Sequence, residues 1–540
     1  MKKTSFIRSI LVLVAVAMAM LTSCSKSVDF GKLIPNDALA VIDVNLLQVI
    51  EKGDLQNADK LSTVKLLRGE LRDENRYAAS IVDGILDDPM SAGIDVRNDM
   101  VCYVDNDLNI VVLAAINDGK KFETFLNQIA KAGEFDFDID KTDGLQYATI
   151  DDEDIPMSVS WNSKYAIMVV STQNNLYSKS DKIASRLNLA KSESMASSSQ
   201  FRKYWSARGD VSAWCPMGNV ISVIPGGKSA LNEVYTSEDI DAFMNSSVAF
   251  ALQFDNGAIR VKSATYGLES SKMMDMMKHS FNASLLKYLP EQTLAAATLS
   301  FNVKAMMDYL SNNAELKEAL REELYKGVTI ADLINCFDGS IAANLHGIIT
   351  NSDGTPTMPL FAVIADVNDI STLKSLMSAS GLEKNGSWYE DPSVPIYLAF
   401  KDKMAYITND QKAIQKFVDG TTTNGIAKVA DKAKKGNYIY IDMDVDNYPS
   451  SVTDLMPKES VKLLRQLFSS FEIVSDGNTG EVIVHLKDKK QNSLAALIHF
   501  VDDNLMTLAD LEDAFDNSYD VATDTAYVSE DEYYAVEEEI

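Results

Sequence analysis

The sequence predicts an α+β protein built as two tandem, duplicated domains with antiparallel sheets partly covered by helices. Three observations predict it. A Pro-led turn, an apolar run, an Asn and a helical pattern occur twice, starting at Ile34-Pro35 and at Leu289-Pro290. A strand–turn–strand pattern occurs twice, led by Ile155-Pro156 and by Val394-Pro395. A glycine-turn hairpin also occurs twice, at Phe254-Asp255-Asn256-Gly257 and at Ser475-Asp476-Gly477-Asn478-Thr479-Gly480. The copies are collinear, at offsets of 255 (Pro35 to Pro290), 239 (Pro156 to Pro395) and about 223. Collinearity is the mark of a repeated unit with drifting loops.

The elements follow in order. After each opening turn, Asn45 or Asn302 precedes a helical pattern: Leu46, Leu47, Val49 and Ile50 in one copy, Val303, Met306, Met307 and Leu310 in the other. Asn suits an N-cap because its side-chain oxygen accepts an orphan backbone N–H. In the second pattern an aromatic, a Lys and an Ala stand five, eight and ten residues after the Pro: Trp161, Lys164 and Ala166, then Phe400, Lys403 and Ala405. This spacing predicts tight turns at Asn162-Ser163 and Lys401-Asp402, followed by strands over Tyr165–Val170 and Met404–Thr408. In the third, Asn-Gly and Asp-Gly supply the positive φ that short hairpins need. Strands over Ala258–Ala264 and Glu481–Leu486 follow, then amphipathic helices around Ser270–Tyr288 and Asn492–Leu508. The first domain is expected over 34–288 and the second over 289–505. A region over 506–540 is expected to finish the last helix and run into an acidic tail.

The 540 residues are 24% charged, 46% apolar and 8% aromatic, which excludes wholesale disorder, a collagen-like chain and a multispanning membrane protein. With 50 basic against 78 acidic residues the net charge is −28. Such a surface repels phosphate backbones, so no nucleic acid is expected as a partner. Four cysteines are too few for a disulfide scaffold.

The N-terminus reads as an address. Lys2, Lys3 and Arg8 precede an unbroken apolar run from Ile10 to Leu21, too short to span a bilayer but suited to a signal peptide. The run ends in Leu21-Thr22-Ser23-Cys24, which resembles a bacterial lipobox. That resemblance implies cleavage of residues 1–23, a covalent lipid on Cys24 and a short linker over 24–33. Two or more acyl chains anchor stably, each buried CH₂ contributing about 0.8 kcal/mol. Cleavage removes three basic residues and no acidic one, so the charge becomes −28 − 3 = −31. The expected location is the cell envelope, on the outer membrane and facing the periplasm. Ser25-Lys26-Ser27-Val28-Asp29 lacks the acidic cluster that resembles a surface-export signal.

At the other end, Ser518 to Ile540 carries eight acidic residues and no basic one. Like-charge repulsion and sparse apolar surface predict a disordered tail. Asp524-Thr525-Ala526 within it resembles a short O-glycosylation signal at Thr525.

A lipobox Cys followed within a dozen residues by IPNDALAVIDVNLLQVI, a second half of similar design, and a central QFRKYWSARGDVSAWCPMGNVI segment carry one resemblance. Together they resemble a Bacteroidetes lipoprotein family known as domain of unknown function 4836. The resemblance implies compartment and architecture and carries no activity.

Candidate chemistry is weighed against plainer readings. Ser222-Val223-Ile224-Pro225-Gly226-Gly227-Lys228-Ser229 nearly matches a phosphate loop, but Ser222 replaces the first Gly and Pro225 removes a donor. A plain loop is expected. Asp136, Asp138 and Asp140, and Asp442, Asp444 and Asp446, have the alternation of a calcium loop but not its Gly or its closing Glu. They are expected as solvated acids on strands, with Phe135, Phe137 and Ile139 facing inward. Asp151-Asp152-Glu153-Asp154 reads as a solvated loop, and weak calcium binding stays open for these clusters. His346 and His485 lie in strand patterns and His279 and His499 in helical ones, with no metal spacing. Cys102, Cys215 and Cys336 read as buried free thiols, and Met273, Met274, Met276 and Met277 as packing. No catalytic, cofactor or metal residue is assigned, and no cofactor is expected beyond the lipid on Cys24.

Three functions remain. The first is a non-enzymatic envelope lipoprotein that binds or scaffolds an envelope protein or glycan. The second is a hydrolase of glycans or peptides working through carboxylates. The third is a small-ligand or metal carrier using the interdomain cleft, for which an apolar cleft between the repeats would be the sign.

Overall fold

A computed structural model describes residues 29–507, apart from 151–156, 172–185, 352–355, 378–380, most of 424–436, and positions 137, 143, 270 and 313. The fold is α+β. The first half supplies β1 (Ala40–Val44), β2 (Met100–Val104), β3 (Ile110–Ala115), β4 (Asp140–Thr142), β5 (Leu145–Ile150), β6 (Met157–Trp161), β7 (Tyr165–Val170), β8 (Val211–Pro216), β9 (Ser247–Asp255) and β10 (Ala258–Tyr266). The second supplies β11 (Ala295–Ser300), a side ribbon of β12 (Glu323–Tyr325) and β13 (Val328–Thr329), β14 (Phe337–Thr350), β15 (Pro356–Val367), β16 (Glu383–Asn385), β17 (Trp388–Glu390), β18 (Tyr397–Lys401), β19 (Met404–Thr408), β20 (Asn437–Asp442), β21 (Phe468–Ser475) and β22 (Thr479–Leu486).

All strands but the ribbon join one sheet of 20 strands. Every pairing in it is antiparallel. From one edge the first half runs β4-β5-β6-β7-β3-β2-β1-β8-β9-β10. From the other edge the second runs β16-β17-β18-β19-β15-β14-β11-β20-β21-β22. Strand for strand the two orders correspond. They meet where β10 pairs with β22, from Ala258 opposite His485 to Ala264 opposite Thr479. The halves therefore do not keep separate sheets. Each ends in a strand with one free edge, and a free edge is a template for pairing; each half closes the other.

The local signals act as their chemistry requires. Asn45 accepts from the Gln48 N–H at 3.1 Å and starts the helix Leu46–Gly53. Asn302 accepts from the Ala305 N–H at 3.0 Å and starts Val303–Asn312. Asn256-Gly257 makes the two-residue turn between β9 and β10, with Gly257 at φ +68°. Trp161 pairs with Ala166 and Phe400 with Ala405, the same register in both hairpins. The β18–β19 turn is Asp402-Lys403, one position later than expected, both residues at positive φ.

Two expected elements differ. The helix expected around Ser270–Tyr288 is a short helix, Lys272–Met277, and a 3-10 segment, Ala283–Tyr288. Between them Asn282 is held to the sheet: its N–H donates to Ser340 Oγ and its amide to both Asp366 oxygens. His279 therefore lies outside a helix. Asp136 and Asp138 lie in irregular chain before β4. The acids there are exposed, and Phe135 and Ile139 pack inward, without strand pairing.

Alternation along the strands gives the sheet two apolar faces. One carries Val41, Tyr103, Leu113 and Trp214 under Phe30, Ile34, Met195 and Phe201. The second half continues this face with Ala342, Ile364, Tyr406 and Tyr438 under Leu285, Leu289, Ile414 and Phe417. On the opposite face, Ile81, Val82, Phe122 and Phe125 of the first half's helices cover Val159 and Trp161. Burial of these side chains, roughly 1.5–3 kcal/mol each, is the main stabilising term. A last helix over 493–507 crosses back to the first half, where Leu494 and Ile498 approach Gly53.

Candidate functional site

The covers of the first face leave a gap over the seam. A groove of about 410 Å³ lies there. Its floor is β9, β10 and the β21–β22 hairpin. Alternation and register put Lys262, Ala264 and Tyr266 of β10 on one face, opposite Ala251, Ala249 and Ser247 of β9. On the other side Lys262 and Ala264 stand opposite Glu481 and Thr479. Small side chains at Ala249, Ala251, Ala264 and Gly480 leave the space. The rings of Tyr204 and Tyr266 stand at the first-half wall.

That wall is rigid. Tyr204 stacks on Trp214 at 5.2 Å between centroids, and Trp214 packs on Tyr266 at 5.5 Å. The Tyr204 hydroxyl is buried and has no hydrogen-bond partner among the described residues. Burial first, and then the nearby Asp43 charge, keep it from ionising. Asp43, on β1, is 1% exposed. Its Oδ1 accepts from Arg208 Nη1 at 2.8 Å, and the same nitrogen reaches Asp99 Oδ2 at 2.9 Å. The guanidinium lies 3.7 Å over the Trp205 ring. Asp43 Oδ2 has no partner among the described residues. Burial, then the Asp99 charge, push Asp43 up to about 7, against the pull of Arg208.

On the second-half side Glu472 of β21 is buried. Its Oε1 meets His485 Nε2 at 3.1 Å and its Oε2 accepts from Lys432 Nζ. Burial alone would raise this carboxyl, but the two donors overcome it and hold it at about 2. An ionised, fully partnered carboxylate of this kind supports structure and is poorly placed to move protons.

The sequence candidates fall away from the groove. Ser222–Ser229 is a turn between two helices, Met217–Val223 and Gly227–Val234, with no strand before it as a phosphate loop needs. Asp442 ends β20, on a strand as expected, whereas Asp444 and Asp446 lie in the turn after it, where Asp444 caps a short 3-10 segment by accepting from the Asp446 N–H. Asp444 accepts from Lys487 Nζ at 2.8 Å and Asp446 from Arg465 Nε at 2.7 Å, so protein cations meet these acids. Among the described residues no three His, Cys, Asp or Glu side chains gather as a metal site. His346 meets Asp410 at 3.2 Å, and burial lowers its affinity for a proton. Cys336 is buried, Cys102 and Cys215 are half-buried, and burial pushes all three thiols up. Met274 and Met277 pack on Gly477. Cys24, Asp151–Asp154 and Thr525 lie outside the described residues. Among the described residues no helix is long and apolar enough to cross a membrane.

Sequence reasoning did not find the groove. Its aromatic wall lies in the QFRKYWSARGDVSAWCPMGNVI segment, which stands out as a motif but shows no reaction chemistry. Its floor is a set of small residues that gain meaning only when β9, β10 and β22 are laid side by side.

A search of the curated proteins finds no match. Among solved structures the chain is similar to TP0453, crystal form I, at 8% identity and a TM-score of 0.20, covering 73% of this chain and 98% of that one. A likeness so low carries no argument. The domain of unknown function DUF4836 matches residues 30–494. The match spans both halves, the seam and every groove residue, and this chain belongs to that family.

Proposed function

We propose that the protein is a lipid-anchored cell-envelope protein that binds a small apolar ligand in the seam groove rather than transforming it. One observation carries this reading: an apolar groove, walled by Tyr204 and Tyr266 of one half and by the β21–β22 hairpin of the other, is left open at the junction. Sites that bind small molecules are concave, mostly apolar and often lie where two units join. The buried carboxylates near it, Asp43 behind Tyr204 and Glu472 beside Val474, are engaged by Arg208, His485 and Lys432. The anchor is proposed on Cys24, at the outer membrane facing the periplasm. An envelope protein or glycan is the partner that would deliver or receive the ligand. We propose also that the two halves descend from one duplicated unit, which the matched strand orders and the shared Trp161–Ala166 and Phe400–Ala405 registers support.

The test uses the unlipidated mature chain, residues 25–540, and the neutral dye N-phenyl-1-naphthylamine. Its fluorescence should rise on binding, and Ala264→Trp, which fills the groove, should abolish the rise. Equal dye binding by both proteins would end the groove reading. For the anchor, Cys24→Ala should shift the protein out of the membrane fraction; a mature variant that still partitions there would refute lipidation.

A further inference from the structure

The charges along the groove go beyond an apolar pocket and specify the class of ligand. Three charged groups line it: Lys262, Glu481 and Asp476. Glu481 is taken, because Arg260 Nη1 reaches its Oε1 at 3.2 Å. Asp476 is taken, because its Oδ1 accepts the Asn478 and Thr479 N–H groups of its own turn at 3.1 and 2.7 Å. Lys262 stands directly across from Glu481, yet the carboxylate turns to the diagonal Arg260. The Lys262 ammonium has no hydrogen-bond or ion-pair partner among the described residues. Alternation aims it along the same face as Ala264 and Tyr266, at the rim of the apolar floor. A second cation, Lys203, lies 5.4 Å over the Tyr266 ring at the same wall.

Resting on the groove reading above, we infer that the ligand is an apolar monocarboxylate, its aliphatic or aromatic body on Ala249, Ala251 and Ala264 and its carboxylate on the Lys262 ammonium. The size agrees. At roughly 30 Å³ per heavy atom, the share of a water molecule, the 410 Å³ groove holds about a dozen heavy atoms. That is the size of a ten-carbon acid. The chain's net charge of −28 does not oppose a monoanion at contact range, since its distant charges are screened beyond about 8 Å at physiological ionic strength.

The experiment displaces N-phenyl-1-naphthylamine from the 25–540 chain with decanoate and with decanol, which share a tail and differ in the head. Decanoate should displace the dye at about tenfold lower concentration, the effect of one hydrogen bond to a charged group. Lys262→Met should erase that preference, the acid-to-alcohol ratio being read against each variant's own dye affinity, while Lys384→Met, at the far edge of the sheet, should keep it. Equal potency of acid and alcohol, or a preference that survives Lys262→Met, would overturn the carboxylate assignment alone. Dye binding that survives Ala264→Trp, or Ala251→Phe should the first variant misfold, would overturn the groove itself.

Discussion

Two buried carboxylates, Asp43 and Glu472, respond to pH in opposite directions, and the difference lies in their partners. Asp43 shares one guanidinium with Asp99 and keeps an oxygen unpaired, so it stands at about 7 in the folded protein. An unfolded Asp titrates near 3.9. Below about pH 4 both states carry the proton; as the pH rises to 7 the unfolded chain releases it first, and stability falls, by at most on the order of a few kcal/mol. Asp43→Asn does not titrate. Its melting temperature should decline less between pH 5 and pH 7.5 than that of the parent, and an unchanged slope would refute the assignment. Glu472, held at about 2 by His485 and Lys432, gives stability that is present above about pH 4.3 and lost as the pH falls towards 2. Glu472→Gln should therefore be far less stable than the parent at pH 7, and the gap should shrink to a minor part of that at pH 2.5. A gap of the same size at both pH values would mean that shape, not charge, is what Glu472 supplies.

Among the elements, the hairpins were legible in the sequence and the connections were not. Gly257 shows why. It sits at φ +68°, and a Cβ there would lie 2.5 Å from Lys489 Cα. Gly144 sits at φ +79° with nothing within 4 Å. Ala at either position meets backbone strain, but only Gly257→Ala also meets backbone atoms. Urea midpoints should show a loss of more than about 1 kcal/mol for Gly257→Ala and a smaller loss for Gly144→Ala. Equal losses would show that the turn can move. Such glycines mark turns whatever surrounds them, so the β9–β10 and β21–β22 hairpins could be read directly. The stretch from Ser270 to Tyr288 has helical periodicity too, but Ser340 and Asp366 draw Asn282 onto the sheet and break it. Those partners are 58 and 84 residues away, beyond any local pattern. The groove was hidden for the same reason: Ala249, Ala264 and Gly480 look like ordinary small strand residues until register gathers them.

At the scale of the whole molecule the second half completes the first. The helix Ser62–Glu74 lacks a side-chain cap from its own neighbour Leu61. Asp502, 440 residues later, supplies one: its carboxylate accepts from the Ser62 N–H at 3.0 Å and from the Thr63 N–H and hydroxyl at 2.7 Å each. These contacts favour the ionised form, so the carboxyl is held below the usual range. The same 493–507 helix sets Leu494 and Ile498 against Gly53, and Leu497 and Phe500 against the buried cluster that holds Leu467 and Leu486. Removing it strips a cap, an apolar contact between halves and a cover from the sheet at once. Asp502→Ala should give a small, measurable loss of stability, as removal of a helix cap does. A chain ending at Lys490 should lose several times that, through the apolar surface it exposes. A chain ending at Tyr519 lacks only acidic sequence with no sustained apolar period, and its thermal unfolding should match that of the full chain. Stability measured across the three variants ranks the contributions. If the Lys490 chain unfolds no earlier than Asp502→Ala, the last helix is an accessory and the β10–β22 pairing alone joins the halves.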